Sequence, residues 1–185
     1  MTNYDAIIIG AGQAGPSLAR RLAGSGMKVA IVERDRFGGT CVNTGCTPTK
    51  TLVASAYAVH TARRGADFGF STGGDVTVDM KRVKARKDHV VGLSNQAIER
   101  SLTSLENGRV YRGHARFVSP HEVEVSGEIL TAERIFINVG GRAATPPVSG
   151  LDRVAYLTNS SMVDLDVLPR HLLVVGGSYI GLEFG

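Results

Sequence analysis

Gly10, Gly12 and Gly15 stand in a Gly-x-Gly-x-x-Gly spacing between an apolar run and a helical run, and this constrains the fold more than any other feature. The run before it, Asp5-Ala-Ile-Ile-Ile-Gly10, is short, apolar and closed by glycine, the pattern of a strand buried in a parallel sheet. From Pro16 to Ala23 apolar residues recur at helical spacing, with Gly24 and Gly26 to stop the helix. Lys28-Val-Ala-Ile-Val-Glu33 then reads as a second buried strand ending on a carboxylate. Strand, helix and strand within about 30 residues make a βαβ unit with a right-handed crossover. In that setting the first glycine makes the tight turn, the second lets a pyrophosphate approach the backbone, and the third lets helix and strand pack closely. The helix N-terminus then faces the negative charge. Glu33 stands where a carboxylate holds ribose hydroxyls, which favours a dinucleotide with free hydroxyls over one with a 2′-phosphate.

Composition narrows the function classes. The 185 residues allow one domain and the beginning of another, and 43% hydrophobic with 21% charged residues suits a globular core, not disorder. Glycine accounts for 23 residues, well above the average usage of about 7%. No apolar run approaches the roughly 20 residues of a membrane span, so no membrane partner is expected. The start, MTNYDAIIIGAG, has no basic n-region and no cleavage pattern, so the expected location is cytoplasmic. Two cysteines are too few for a disulfide scaffold or a four-ligand zinc site, and no metal ligands are assigned. The net charge of +4 gathers largely in Lys81, Arg82, Lys84, Arg86 and Lys87. With no aromatic residues interleaved and no Trp in the chain, this run reads as a solvated helix face, and nucleic acid is not an expected partner.

Further along, a helix is expected over 49–64, a loop over 65–74 and a long charged amphipathic helix over 78–105. Residues 109–137 alternate like a series of short strands, with Ser126-Gly127 as a hairpin turn. His171-Leu-Leu-Val-Val-Gly176 repeats the opening as a third apolar strand, and Gly177 to Gly181 begins another turn into a helix. The sequence ends at Gly185 within that helix, so it is expected to be part of a longer protein.

Both cysteines fall in Gly38-Gly-Thr-Cys41-Val-Asn-Thr-Gly-Cys46-Thr-Pro-Thr-Lys50. Thr47 can cap a helix that starts on Pro48, which needs no amide hydrogen there. Cys46 would then precede a helix N-terminus, where the dipole favours a thiolate, and Cys41 can reach it across a flexible turn to form a disulfide. Two buried thiols or half a metal site are the bland alternatives. The nucleotide fingerprint upstream favours a two-electron relay.

GGTCVNTGCTPTK resembles the redox-active disulfide motif of the class I pyridine nucleotide-disulfide oxidoreductases, which include dihydrolipoamide dehydrogenase, glutathione reductase and mercuric reductase. The resemblance extends through GAGQAG, Glu33, RGHARF at 112–117, FINVGGRAATPP at 136–147 and VVGGSYIGLEFG at 174–185, essentially the whole chain. It implies an α/β fold: a Rossmann-like FAD-binding domain with a parallel sheet, inserted helices and a β-meander over 1–150. Residues 151–185 would be a linker and the first strand and turn of an NAD(P)-binding domain. It implies electron transfer between NADH or NADPH, FAD and a Cys41–Cys46 disulfide, on to a disulfide, metal-ion or related small-molecule acceptor, mercuric-reductase-like or dihydrolipoamide-dehydrogenase-like.

By the same resemblance Cys46 is the flavin-side cysteine, Cys41 the interchange cysteine, and Lys50 lies near the flavin, paired with Glu183. Gly10, Gly12, Gly15, Glu33, Thr40, Lys50, Ala115 and Gly140 would hold FAD, and Gly176 and Gly181 the nicotinamide cofactor. The longer parent is expected to be a homodimer. His60, His89, His114, His121 and His171 are expected to be surface or packing residues. The family's general-base histidine lies in a C-terminal segment that is not in this sequence, so these 185 residues alone are expected to be inactive. The rival reading is an inactive FAD-binding fragment, or an interaction protein whose dithiol senses redox state. Thr44, Thr47 and Thr49 depart from the common motif, and Ser178 replaces the middle glycine of the second fingerprint.

Overall fold

Six strands form one sheet in the order β3-β2-β1-β6-β5-β4 in the computed structural model, which describes all residues, Met1–Gly185. β1 (Thr2–Ile9) runs parallel to β2 (Val29–Glu33) on one side and to β6 (Glu128–Ile137) on the other, with Ile7 opposite Ala30 and Ile135. β3 (Gly108–Arg112) adds in parallel to β2, while β4 (Ala115–Ser119) and β5 (Glu122–Val125) meander back antiparallel onto β6. This is the expected α/β sheet with its meander. Ser126 and Gly127 take φ of +51° and +83°, the two positive values that a two-residue hairpin with a type I′ turn needs.

Alternate residues of the central strand face opposite layers. Ile7 packs with Tyr4, Ala30, Val32, Tyr111, Val123 and Leu130 on the meander face. Ile8 packs with Ala19, Val29, Ile31, Phe37 and Leu102 on the other, where α1 (Gly15–Gly24) and the end of α4 (Met80–Thr103) cover the sheet. Burying a Val, Leu or Ile side chain contributes about 1.5–3 kcal/mol, so this two-faced burial is what holds β1 at the centre. The hydroxyls of Tyr4 and Tyr111 satisfy each other inside the meander face at 2.8 Å.

The chain divides into two compact units. The first comprises Met1–Asn43 and Gly92–Arg142 and contains the whole sheet. The second comprises Thr44–Val91 and Ala143–Gly185, with α3 (Cys46–Arg63), the first half of α4, α5 (Asn159–Met162) and α6 (Tyr179–Phe184). No helix is long and apolar enough to cross a membrane.

Three expectations change. The segment around the two cysteines is not simply a flexible turn before a helix capped by Thr47: α2 (Gly39–Asn43) forms within it and carries Cys41, and α3 starts on Cys46 with Gly45 as its cap, so Thr47 and Pro48 lie inside its first turn. Pro48 is tolerated there because the first amides of a helix have no intrahelical acceptor. The first intrahelical bond runs from the Thr49 N–H to the Gly45 carbonyl at 3.0 Å. Second, residues 171–176 form no strand, and Leu173 and Val175 are exposed, because no neighbouring strand pairs with them. Third, the basic run on α4 is not uniformly solvated. Lys87 is only 2% exposed and bonds Asp88 at 2.5 Å and Asp164 at 3.1 Å.

Candidate functional site

In the first unit the glycine turn is built from backbone approaching backbone. Gly10 takes φ +104°, and a Cβ on it would strike the carbonyl oxygen of Asn138 at the end of β6. A Cβ on Gly15 would strike the carbonyl oxygen of Gly10, which is how α1 leaves β1 so abruptly. A Cβ on Gly39 would stand 2.7 Å from the Gly12 Cα, and the Gly38 N–H donates to the Ala11 carbonyl at 2.8 Å. The turn after β1 is thus braced by the turn before α2, and Thr40, the second residue of α2, is exposed beside it.

Glu33 is aimed by two amides. Its Oε2 accepts the Ala11 N–H at 2.8 Å and its Oε1 accepts the Asp35 N–H at 2.9 Å. A carboxylate has about four lone-pair sites, so two remain for hydroxyl donors. The Gly113 N–H donates to the Glu33 carbonyl at 2.9 Å, which brings the start of β4, and with it Ala115, toward the carboxyl end of β2. Gly140 follows Asn138 by two residues at the carboxyl end of β6, exposed and with φ +69°. The Asn138 Nδ2 is buried without a hydrogen-bond partner, a polar donor left over beside the turn. A glycine cradle that any Cβ would fill, an oriented carboxylate with spare lone pairs and a helix N-terminus together fit the diphosphate and ribose of a dinucleotide.

Cys41 sits at the centre of α2, half-buried. The turn that carries it is pinned by side-chain amides that sequence reasoning missed. Asn43, 9% exposed, donates its Nδ2 to the carbonyls of Phe37 at 2.9 Å and Gly39 at 3.0 Å. Asn95 on α4 donates to the same Phe37 carbonyl at 2.7 Å and to Asn43 Oδ1 at 3.1 Å. Asn43 lay within the quoted motif, but nothing in the local sequence ties it to a residue 52 positions later.

The second unit holds Cys46, exposed at the start of α3, with Lys50 one turn further along the same helix face. Lys50 forms an ion pair with Glu183 of α6, as expected. An open cleft of about 460 Å³ lies beside Cys46, walled by Lys50, Thr51 and Ala54 of α3 and by Arg86 and Val90 of α4. On the same helix Lys84 bonds Asp88 at 2.7 Å. That bond holds the Lys84 ammonium above the usual lysine range, against a smaller desolvation effect. Desolvation pushes the Asp88 carboxyl up, but the hydrogen bonds from Lys84 and Lys87 outweigh it and leave its pKa below the ordinary value.

The second fingerprint repeats the geometry of the first. Gly176 takes φ +115°, and a Cβ on Gly181 would strike the Gly176 carbonyl oxygen, as at Gly10 and Gly15. Ser178 opens α6 as its cap residue. The expected site residues therefore fall into two sets. Gly10, Gly12, Gly15, Glu33, Thr40, Cys41, Ala115 and Gly140 belong to the first unit, and Cys46, Lys50, Gly176, Gly181 and Glu183 to the second.

A parallel βαβ core with a glycine turn at the carboxyl end of its first strand defines the doubly wound α/β class. Within that class the chain belongs to the pyridine nucleotide-disulphide oxidoreductase family, whose profile matches residues 4–185. It is 37% identical over 183 residues to a mercuric reductase of Lysinibacillus sphaericus, a match covering 99% of this chain and 33% of that protein. It is also 37% identical to a dihydrolipoyl dehydrogenase of Acholeplasma laidlawii, over 98% of this chain and 55% of the relative. The HOCl-induced flavoprotein disulfide reductase RclA from Escherichia coli superposes with a TM-score of 0.82 at 36% identity, over 98% of this chain and 38% of that structure. The chain thus spans about a third to a half of the length of these relatives.

Proposed function

We propose that this chain supplies the flavin-binding turn and the redox-active thiol pair of an FAD-dependent disulfide oxidoreductase. The observation that carries the reading is Glu33, aimed by the Ala11 amide into the glycine turn with lone pairs to spare for ribose hydroxyls. Gly10, Gly12, Gly15, Glu33, Thr40, Ala115 and Gly140 would hold FAD, residues 1–150 being its domain. Bound FAD would supply a two-electron carrier.

Cys41 and Cys46 cycle between dithiol and disulfide. Closing the bond releases two electrons and two protons, and reopening it takes them up. Cys46 is the flavin-side thiol, with the Lys50 ammonium, anchored by Glu183, on the same face of α3. Cys41 is the thiol that exchanges with the acceptor, and the Asn43 and Asn95 amides position it. Residues 151–185 form a linker and the start of an NAD(P)-binding domain, in which the Gly176–Gly181 turn receives the pyridine nucleotide. Its repetition of the first turn's geometry supports this.

The test is the absorption spectrum of the protein reconstituted with FAD and reduced, in wild type, Cys41→Ser and Cys46→Ser forms. Flavin should be retained in all three. A long-wavelength thiolate-to-flavin band should persist in Cys41→Ser and vanish in Cys46→Ser. The opposite pattern exchanges the roles of the two cysteines, and failure to retain any flavin overturns the reading.

A further inference from the structure

α3 begins without a capping side chain to hold its start. Its cap residue is Gly45, whose carbonyl accepts the Thr49 N–H at 3.0 Å and opens the helix. Glycine has no side chain to bond the amides of the first turn, and its own backbone has the widest conformational choice. Cys46 is the next residue. The restraint comes from the other segment of the second unit. The Asn159 Nδ2 donates to the Thr44 carbonyl at 3.3 Å, across 115 positions, and so fixes the peptide plane that leads into Gly45.

Asn159 is itself braced. It is the first residue of α5, where the Thr158 N–H donates to the Ser161 hydroxyl and the Met162 N–H to the Thr158 carbonyl, each at 2.9 Å. Val163, just after that turn, is 1% exposed. Asp164 then accepts from the buried Lys87 ammonium at 3.1 Å. A buried side chain and an ion pair therefore anchor the segment whose amide holds the residue two before Cys46.

We infer that Asn159 is a positioning residue for the redox thiols: by holding the Thr44–Gly45 peptide, it lowers the ordering cost of closing the Cys41–Cys46 bond. The inference rests on the reading of the two cysteines as a redox pair. Thr44 and Gly45 lie inside the loop that this bond closes. With Asn159 in place their peptide is already fixed in the dithiol, and without it the peptide must be ordered as the bond forms.

The chain has two cysteines, so a count of alkylatable thiols reports this pair alone. The protein is equilibrated with mixtures of reduced and oxidised dithiothreitol. The protein disulfide takes two electrons and two protons from the dithiol, and the reagent closes to its cyclic disulfide. In Asn159→Leu, which keeps the bulk and loses the donor, the constant for forming the disulfide should fall about tenfold, the order expected for ordering one backbone residue. For a two-electron couple that is a rise of about 30 mV. Asn159→Gln, which keeps an amide, should recover part of the loss. Asp164→Asn should shift the constant the same way by less, and it should add nothing in the Asn159→Leu chain, because it acts through the same amide. Hydrogen exchange at the Thr49 amide should speed up in Asn159→Leu as the first turn of α3 opens more often.

A constant unmoved in Asn159→Leu, or moved toward the disulfide, overturns the inference even if the thermal midpoint falls. A wild-type chain that forms no disulfide in any mixture overturns the redox reading and the inference with it, and the thiol count tells the two results apart.

Discussion

Asn95 of α4 donates its side-chain amide to Asn43 Oδ1 at 3.1 Å, joining residues 52 positions apart in the first unit. Both amides also converge on the Phe37 carbonyl, at 2.7 Å from Asn95 and 2.9 Å from Asn43. Between Phe37 and Asn43 lie Gly38, which bonds the turn after β1, and Cys41. Two asparagines therefore set the conformation of the segment that carries Cys41 and braces the glycine turn.

Asn43→Ala removes the side-chain donor to the Gly39 carbonyl and one of two donors to the Phe37 carbonyl, and Asn95→Ala removes the other donor to Phe37. Each should lower stability to urea by about 1–3 kcal/mol, the penalty for unsatisfied buried polar groups. The double variant should cost less than the sum, because the two residues share an acceptor and each other. In a Cys46→Ser background, both should speed the reaction of Cys41 with DTNB as α2 loosens. Additive costs with an unchanged Cys41 rate would show that the amides do not act together on this turn.

The glycines separate by what surrounds them. Gly15→Ala drives a methyl group into the Gly10 carbonyl, and Gly181→Ala repeats the collision at Gly176. Gly15→Ala should lower the thermal midpoint and abolish flavin retention, at a cost of about 1–3 kcal/mol for a forced backbone shift. Gly92→Ala is the contrast: it lies inside α4 with no atom within 4 Å of the added Cβ. It should stabilise the chain by about 0.5–1 kcal/mol through helix propensity alone. Calorimetry of the two variants in parallel checks both signs.

The strands and the fingerprint were legible because their signals are local. Ile7 and Ile8, flanked by glycine, specify a two-faced buried strand, and Ser126-Gly127 specifies a tight turn, without knowledge of the rest of the chain. The start of α3 was misplaced because Thr47-Pro48 is a strong start signal, yet Gly45 caps the helix first and makes Cys46 its first residue. The segment 171–176 has the composition of a buried strand, but a strand exists only with a partner to pair against, which composition does not report. Lys87 and Arg86 were hidden in a charge run. Spacing puts a residue on a helix face, but it does not say whether Asp164 or a cleft waits opposite.

Asp88 is the acidic hub of α4, bonded by Lys84 and Lys87. Its folded pKa is depressed, so its contribution to stability is present above the ordinary carboxylate value of about 3.9 and is lost as pH falls through the lower folded value. Lys84 is raised, so its contribution is complete below the ordinary lysine value of about 10.4 and is lost as pH rises through the higher folded value. The stability difference between wild type and Asp88→Asn should therefore be flat between about pH 4 and pH 10 and shrink at both ends. Urea midpoints across that range test it, and a difference that peaks near neutral pH would assign the dependence to other groups.

Glu33→Gln isolates the carboxylate that carries the functional reading. One amide oxygen can still accept from either Ala11 or Asp35, but the new NH₂ group meets the other N–H donor to donor. Losing one charge-assisted bond costs about 1.5–3 kcal/mol if the turn stays put, and less if the side chain swings out to water. Glutamine also loses the negative charge and half of the acceptor sites that ribose hydroxyls would use. FAD affinity, measured by quenching of flavin fluorescence, should therefore fall by about tenfold or more, equivalent to about 1.4 kcal/mol or above. Glu33→Asp keeps the charge on a shorter arm that cannot bridge both amides, and it should fall between the two. If Glu33→Gln binds FAD as tightly as wild type while its thermal midpoint drops, Glu33 serves the turn alone and the ribose assignment is lost.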